Sequence, residues 1–110
     1  MESKWSCKLT RKAEADLDSI LRYLAVELAN PNAAAAFADK LQAAMEEACT
    51  FPESGSLVIN EYLPTTGVRK KVIGNYLMYY LPDPAEETVS VLRIVYGRRN
   101  IDEILRYIGV

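Results

Sequence analysis

The stretch from Val68 to Asn100 reads VRKKVIGNYLMYYLPDPAEETVSVLRIVYGRRN. It holds three short apolar runs, rich in β-branched and aromatic residues and parted by turn signals. Gly74-Asn75 divides the first run from the second. Pro82-Asp83-Pro84 with Glu86-Glu87 divides the second from the third. That pattern predicts a three-stranded antiparallel meander: branched and aromatic side chains suit a pleated surface, and Gly, Pro and Asn supply the backbone angles of tight turns. Strand alternation puts Tyr76, Met78 and Tyr80 on one face and Leu77, Tyr79 and Leu81 on the other. In the last run Val89, Val91, Arg93 and Val95 share a face, with Leu92, Ile94 and Tyr96 opposite. Both faces are partly apolar. One side is expected to take a helical layer, and the other, with aromatics and Arg93, to be open to a partner.

Upstream, Trp5 to Leu9 alternates and predicts a short first strand. Thr10 is placed as an N-cap, its hydroxyl accepting from a first-turn amide. Ala13, Leu17, Ile20, Leu21, Leu24 and Leu28 then recur at helical spacing, predicting a helix to about Ala29. Asn30-Pro31-Asn32 breaks it, and Asn30 or Asn32 caps a second helix. The apolar stripe of that helix is Ala33, Ala36, Phe37, Leu41, Ala44, Met45 and Ala48. Its run of alanines is thin, which favours a closely packed antiparallel hairpin. The second helix ends before Phe51-Pro52. Residues 57–63 read ambiguously, and residues 64–67 are a loop. After the meander, Asn100 caps a short helix from Ile101 to Ile108, with Asp102 and Glu103 in its first turn, where acids suit the helix dipole. The order β-α-α-β-β-β-α describes one α+β domain over residues 1–110: a helical hairpin packed on a small antiparallel sheet, with a short C-terminal helix.

Composition narrows the chemistry. The 110 residues include two cysteines and no histidine. A zinc site therefore has almost no ligands to draw on, and a nucleophilic triad lacks its base. Scattered glycines make no phosphate loop. No cofactor or metal is expected. No apolar run approaches the roughly 18 residues of a membrane span. Cys7 and Cys49 are expected to be buried thiols of a cytoplasmic protein. The net charge of −2 hides a division. Residues 10–55 carry a balance of −4, while residues 66–81 and 88–100 carry +3 each. Arg69, Lys70, Lys71, Arg93, Arg98 and Arg99 thus mark the sheet as basic. They suit phosphate or an acidic partner, with Tyr76, Tyr79, Tyr80 and Tyr96 able to stack on bases. The same cations also suit a solvated sheet that resists aggregation. Acid pairs such as Asp16/Asp18 and Glu46/Glu47 read as solvated helix faces. The residues alone leave these readings open.

Thr10 after the first strand, Ala13, Asp16, Leu17 and Ile20 with Tyr23, Ala36-Phe37, Phe51-Pro52 with Gly55, Arg69, Tyr76 to Tyr80, and Val91 to Asn100 follow an order and spacing that resembles the RelE/ParE superfamily of type II toxin–antitoxin toxins. Within it the resemblance is to the ParE branch. RelE-like members cleave mRNA on the ribosome, whereas ParE-like members poison DNA gyrase. The nuclease branch commonly has Arg after the central-strand tyrosine and His before the last glycine; here those positions are Leu77 and Tyr96. Helices of roughly 19 residues also suit the ParE side. The resemblance implies a non-enzymatic toxin that contacts gyrase, and Arg69, Arg93, Arg98 and Arg99 of the basic sheet are the candidate contact residues. It also implies a cognate antitoxin forming a hetero-oligomer with it, for which Ala33, Ala36, Phe37 and Leu41 are the candidate docking residues. The alternatives are a ribosome-dependent endoribonuclease working through Lys70, Lys71, Arg93 and Tyr96, in contact with RNA, or a non-toxic interaction module.

Overall fold

The computed structural model describes residues 4–99 and 101–108. Strand β1 (Ser6–Leu9) leads into helix α1 (Arg11–Arg22), which continues as a π-helical turn over Tyr23–Glu27. Helix α2 (Pro31–Thr50) returns antiparallel. Strands β2 (Ser56–Leu57), β3 (Arg69–Ile73), β4 (Tyr76–Asp83) and β5 (Thr88–Tyr96) follow, then helix α3 (Ile101–Arg106). The fold is α+β, as expected, and the meander falls where the turn residues put it.

The caps explain the helix starts. Thr10 Oγ1 accepts from the Ala13 N–H at 3.2 Å, and Asn30 Oδ1 accepts from the Ala33 N–H at 3.0 Å. Each satisfies an amide that has no partner within its own helix. The first helix ends differently from expectation. Regular α-helix stops at Arg22, and after the π turn Ala29 takes φ 48°, a left-handed geometry that a Cβ disfavours. Leu28, expected in the apolar stripe, lies beyond the turn and is half exposed. Ala36 likewise faces solvent. The expected cap Asn100 lies outside the described residues.

The sheet runs β1-β5-β4-β3-β2, with every pair antiparallel except β1 and β5. It is therefore mixed rather than wholly antiparallel. The helical hairpin carries the chain across before the meander begins, so the first strand docks beside the last in the same direction. The ambiguous stretch contributes only the two-residue β2; residues 58–68 drape over the sheet.

One irregularity decides the faces. Tyr79 pairs with Arg93 but Tyr80 with Val91, so Leu92 is the extra residue of a β-bulge. Simple alternation fails there. Val89, Val91 and Ile94 face the hairpin, with Met78, Tyr80, Phe37 and Leu41. Leu92 and Val95 face the other way, with Tyr79, Val68, Ile104, Leu105 and Ile108. The second face is thus not open to a partner along its length. α3 and the 58–68 segment cover it, burying Tyr79, Val68 and Ile108 to 1 % exposure or less.

Candidate functional site

The six sheet cations do not form one basic face. In β3, Arg69 lies opposite Tyr80 and Lys71 opposite Met78, so both sit on the hairpin side, while Lys70 lies opposite Tyr79 on the other. Lys71 is ion-paired with Glu47 of α2. Its side chain is 9 % exposed against 60 % for Glu47, so the pair joins a nearly buried lysine to a solvated carboxylate. Lys70 is solvent-exposed.

Arg69 is occupied locally. Its Nη1 donates to the carbonyls of Gly55 at 2.8 Å and Glu53 at 3.1 Å. Tyr80 works on the same turn. Its hydroxyl accepts from the Gly55 N–H at 2.8 Å and donates to the Pro52 carbonyl at 3.0 Å. A Cβ on Gly55 would stand 2.5 Å from that hydroxyl and 2.7 Å from the Lys70 carbonyl, which only glycine avoids. Phe51-Pro52, Gly55, Arg69 and Tyr80, scattered in sequence, are one clasp that fastens the end of α2 to β3 and β4.

Arg93 is held just as firmly. Leu9 pairs with Val91, the last register step of β1, and beyond it the edge of β5 has no strand neighbour among the described residues. Thr10 takes the next positions: its N–H donates to the Val91 carbonyl at 3.0 Å and its hydroxyl to the Leu92 carbonyl at 3.1 Å. Asp16 of α1 takes the following one, accepting the Ile94 N–H at 2.9 Å. The same carboxylate accepts Arg93 Nε at 2.7 Å and Nη2 at 3.0 Å, a bidentate pair with side chains 18 % and 14 % exposed. The reading of Asp16 as part of a solvated acid pair is overturned by these contacts.

Arg98 and Arg99 follow β5 in an exposed turn. Arg99 shares a cleft of about 240 Å³ with Arg93, Glu103, Ile104 and Tyr107. Of the four arginines expected to meet a target, Arg93 and Arg99 are thus brought together near the end of β5. Arg98 adjoins them in the chain, and Arg69 lies two strands away. Tyr96 is partly exposed on the hairpin side, its ring 5.7 Å from Tyr76 at 72°. Tyr76 in turn meets Phe37 at 5.0 Å. Burial pushes the Tyr76 hydroxyl above its ordinary range, with further repulsion from Tyr23 and Tyr96.

The acid/base set Lys70, Lys71, Arg93 and Tyr96 is not assembled in this chain. Lys70 and Lys71 point to opposite faces, Lys71 and Arg93 are each tied to a carboxylate, and Tyr96 lies two strands from both lysines, about 10 Å across the sheet. Among the docking residues expected for a partner, Phe37 and Leu41 are core, at 7 % and 4 % exposure. Ala33 is half-buried and Ala36 is exposed. Beside them runs an apolar groove of about 400 Å³ between β1, α1 and α2, lined by Trp5, Cys7, Leu17, Leu21, Leu41 and Met45 among others.

Residues 7–101 match the family described as the ParE toxin of the type II toxin–antitoxin system parDE. The chain belongs to the ParE toxin family. Solved structures agree. The chromosomal ParDE toxin–antitoxin system from P. aeruginosa is 25 % identical, with a TM-score of 0.65 over 84 % of this chain and 96 % of that one. The toxin–antitoxin complex RelBE2 from Mycobacterium tuberculosis is 21 % identical at TM-score 0.61, covering 87 % and 94 %. A double mutant of E. coli RelE in the free state is 13 % identical at TM-score 0.60, covering 94 % and 95 %. The last two share the fold. No curated protein matches. As a ParE-family chain it is a toxin of a type II toxin–antitoxin system. Asp16, Gly55 and Tyr80 are residues whose structural roles sequence reading missed. Their partners lie 25 to 78 positions away, outside the reach of periodicity.

Proposed function

We propose that this toxin acts without catalysis, by binding DNA gyrase, and that a cognate antitoxin neutralises it. The observation that carries the non-catalytic reading is the dispersal of Lys70, Lys71, Arg93 and Tyr96. General acid–base chemistry needs groups within hydrogen-bond reach of one substrate. The contact surface favoured is the turn after β5, where Arg98 and Arg99 are exposed beside the Arg93 cleft. Arg93 serves there as a framework residue, with its guanidinium committed to Asp16.

For the antitoxin, the groove between α1, α2 and β1 is the favoured seat. It is apolar, lies open on the surface, and has Leu41 among its lining residues. A segment that folds on binding can fill such a groove with apolar side chains at helical spacing.

The deciding experiment measures supercoiling by purified gyrase, and mRNA integrity in an induced culture, for the native chain and an Arg98→Ala/Arg99→Ala variant. The native chain inhibits supercoiling and leaves mRNA intact, and the variant loses at least tenfold in inhibition with its Tm unchanged. Unimpaired supercoiling with fragmented mRNA would transfer the chain to the nuclease reading. A fully active double variant would remove both arginines from the contact surface.

A further inference from the structure

Cys7 and Cys49 are the two cysteines of the chain, and the fold brings them together. Cys7 lies in β1, with its side chain packed against the hairpin-side core. Cys49 lies in the last turn of α2, 3 % exposed. The Trp5 N–H donates to the Cys49 carbonyl at 3.0 Å, tying the two backbone segments. Cys7 packs against the buried cluster to which Cys49 belongs. Burial pushes the Cys7 thiol up to about 12, and its hydrogen bond and charge interaction with Cys49 add to the rise. Both sulfurs line the apolar groove described above. Cys7 is only partly buried there, so a small reagent entering the groove meets it before Cys49.

We propose that Cys7 and Cys49 form a reversible intramolecular disulfide, made by exchange with a low-molecular-weight disulfide of the glutathione type, with Cys7 attacking first and Cys49 resolving. In the first step the Cys7 thiolate, having lost its proton to water, attacks one sulfur of glutathione disulfide. The new S–S bond forms as the old one breaks, and one glutathione leaves as a thiolate that takes up a proton. Cys49 then loses its proton and attacks the Cys7 sulfur, and the second glutathione leaves in the same way. Two electrons pass from the protein to the glutathione disulfide, which becomes two glutathione thiols. Because Cys7 and Cys49 belong to one chain and line one groove, the second step is unimolecular, so the mixed disulfide does not accumulate.

The structural consequence falls on β1. Among the described residues it is an edge strand, paired with β5. A Cys7–Cys49 bond adds a covalent tie between this strand and the end of α2, closing a ring over residues 7–49 on the wall of the groove. This inference is independent of whether the toxin's target is gyrase.

The test uses the full chain, incubated with oxidised glutathione and then alkylated with iodoacetamide. The expected product is monomeric, two hydrogen atoms lighter than the reduced chain and free of alkylation, with one peptide pair joining Cys7 to Cys49. Its Tm rises by about 10 °C and returns on adding dithiothreitol. The rate of the first step, attack by Cys7, rises about tenfold per pH unit between about pH 7 and 9, because the Cys7 thiolate is a small fraction throughout that range. A Cys49→Ser variant accumulates glutathione on Cys7. A stable glutathione adduct on the native chain, a bond formed only between two chains, or full alkylation of both cysteines after oxidation would overturn the proposal. Faster adduct formation on Cys49 in a Cys7→Ser variant than on Cys7 in Cys49→Ser would overturn the order of attack.

Discussion

At Asp16 one carboxylate closes a strand edge and fixes an arginine. It takes the Ile94 N–H that β1 is too short to reach, and both forks of Arg93. Removing it leaves a largely buried guanidinium and a backbone donor without acceptors. Asp16→Ala is therefore expected to cost about 2–4 kcal/mol of stability, read as a lower urea midpoint. A cost under about 0.5 kcal/mol, the range of ordinary surface changes, would show that water replaces the carboxylate freely. Arg93→Ala is expected to fall in the same range, so its effect on toxicity has to be normalised to folded protein. Tyr80→Phe tests the clasp at the other side of the sheet. It removes the acceptor of the Gly55 N–H and the donor to the Pro52 carbonyl, for an expected loss of about 1–3 kcal/mol. These roles were not legible in the sequence. Thr10 and Asn30 announced themselves because a cap acts on the amide three residues on. Asp16 and Tyr80 act on chain 78 and 25 residues distant, and nothing local distinguishes them from a solvated acid and a core aromatic.

Among the elements, the hairpin corner and the bulge separate what periodicity can and cannot deliver. The helices were legible because their apolar residues repeat and Asn30-Pro31 interrupts the repeat. The π turn was not, since Leu24 and Leu28 keep helical spacing while the backbone has already changed its hydrogen bonding. The Leu28 N–H donates to Tyr23 and the Asn30 N–H to Leu24, at 2.9 Å each. That geometry leaves Ala29 at φ 48°. Ala29→Gly is expected to raise stability by up to about 1 kcal/mol, measured as a higher Tm, because strain relief exceeds the entropy that glycine adds to the unfolded chain. A lower Tm would mean that the corner carries no strain worth relieving. The bulge at Leu92 has a larger effect on interpretation. One extra residue, Leu92, exchanged the faces of Ile94 and Val95 relative to Val91, and with them the expectation of an open basic face.

For the whole molecule, a sheet clothed on both sides leaves its tyrosines poorly hydrated. Burial raises the ionisation range of Tyr79, and burial with Tyr23 and Tyr96 raises that of Tyr76. Both folded values lie above the unfolded one, near 10. Their contribution is fully present below that pH and is lost as pH rises past it, because the unfolded chain then releases the protons more readily. Stability measured from neutral to alkaline pH should hold level and then fall above about pH 10. A Tyr76→Phe variant should fall less steeply; an identical slope would exclude Tyr76 as a contributor. Architecture class and element order were legible at this scale, because they follow from local patterns. The covering of the second face was not, since residues 58–68 carry no regular pattern and are positioned by what they pack on. The parallel pairing of β1 with β5 also sets a timetable for synthesis. Thr10 finds its acceptor on Leu92, 82 residues later. At about 5–20 residues per second, a ribosome takes roughly 4–16 s to supply it. Throughout that interval the nascent toxin has a hairpin but no finished sheet, and the charged turn at Arg98 and Arg99 has not yet been translated.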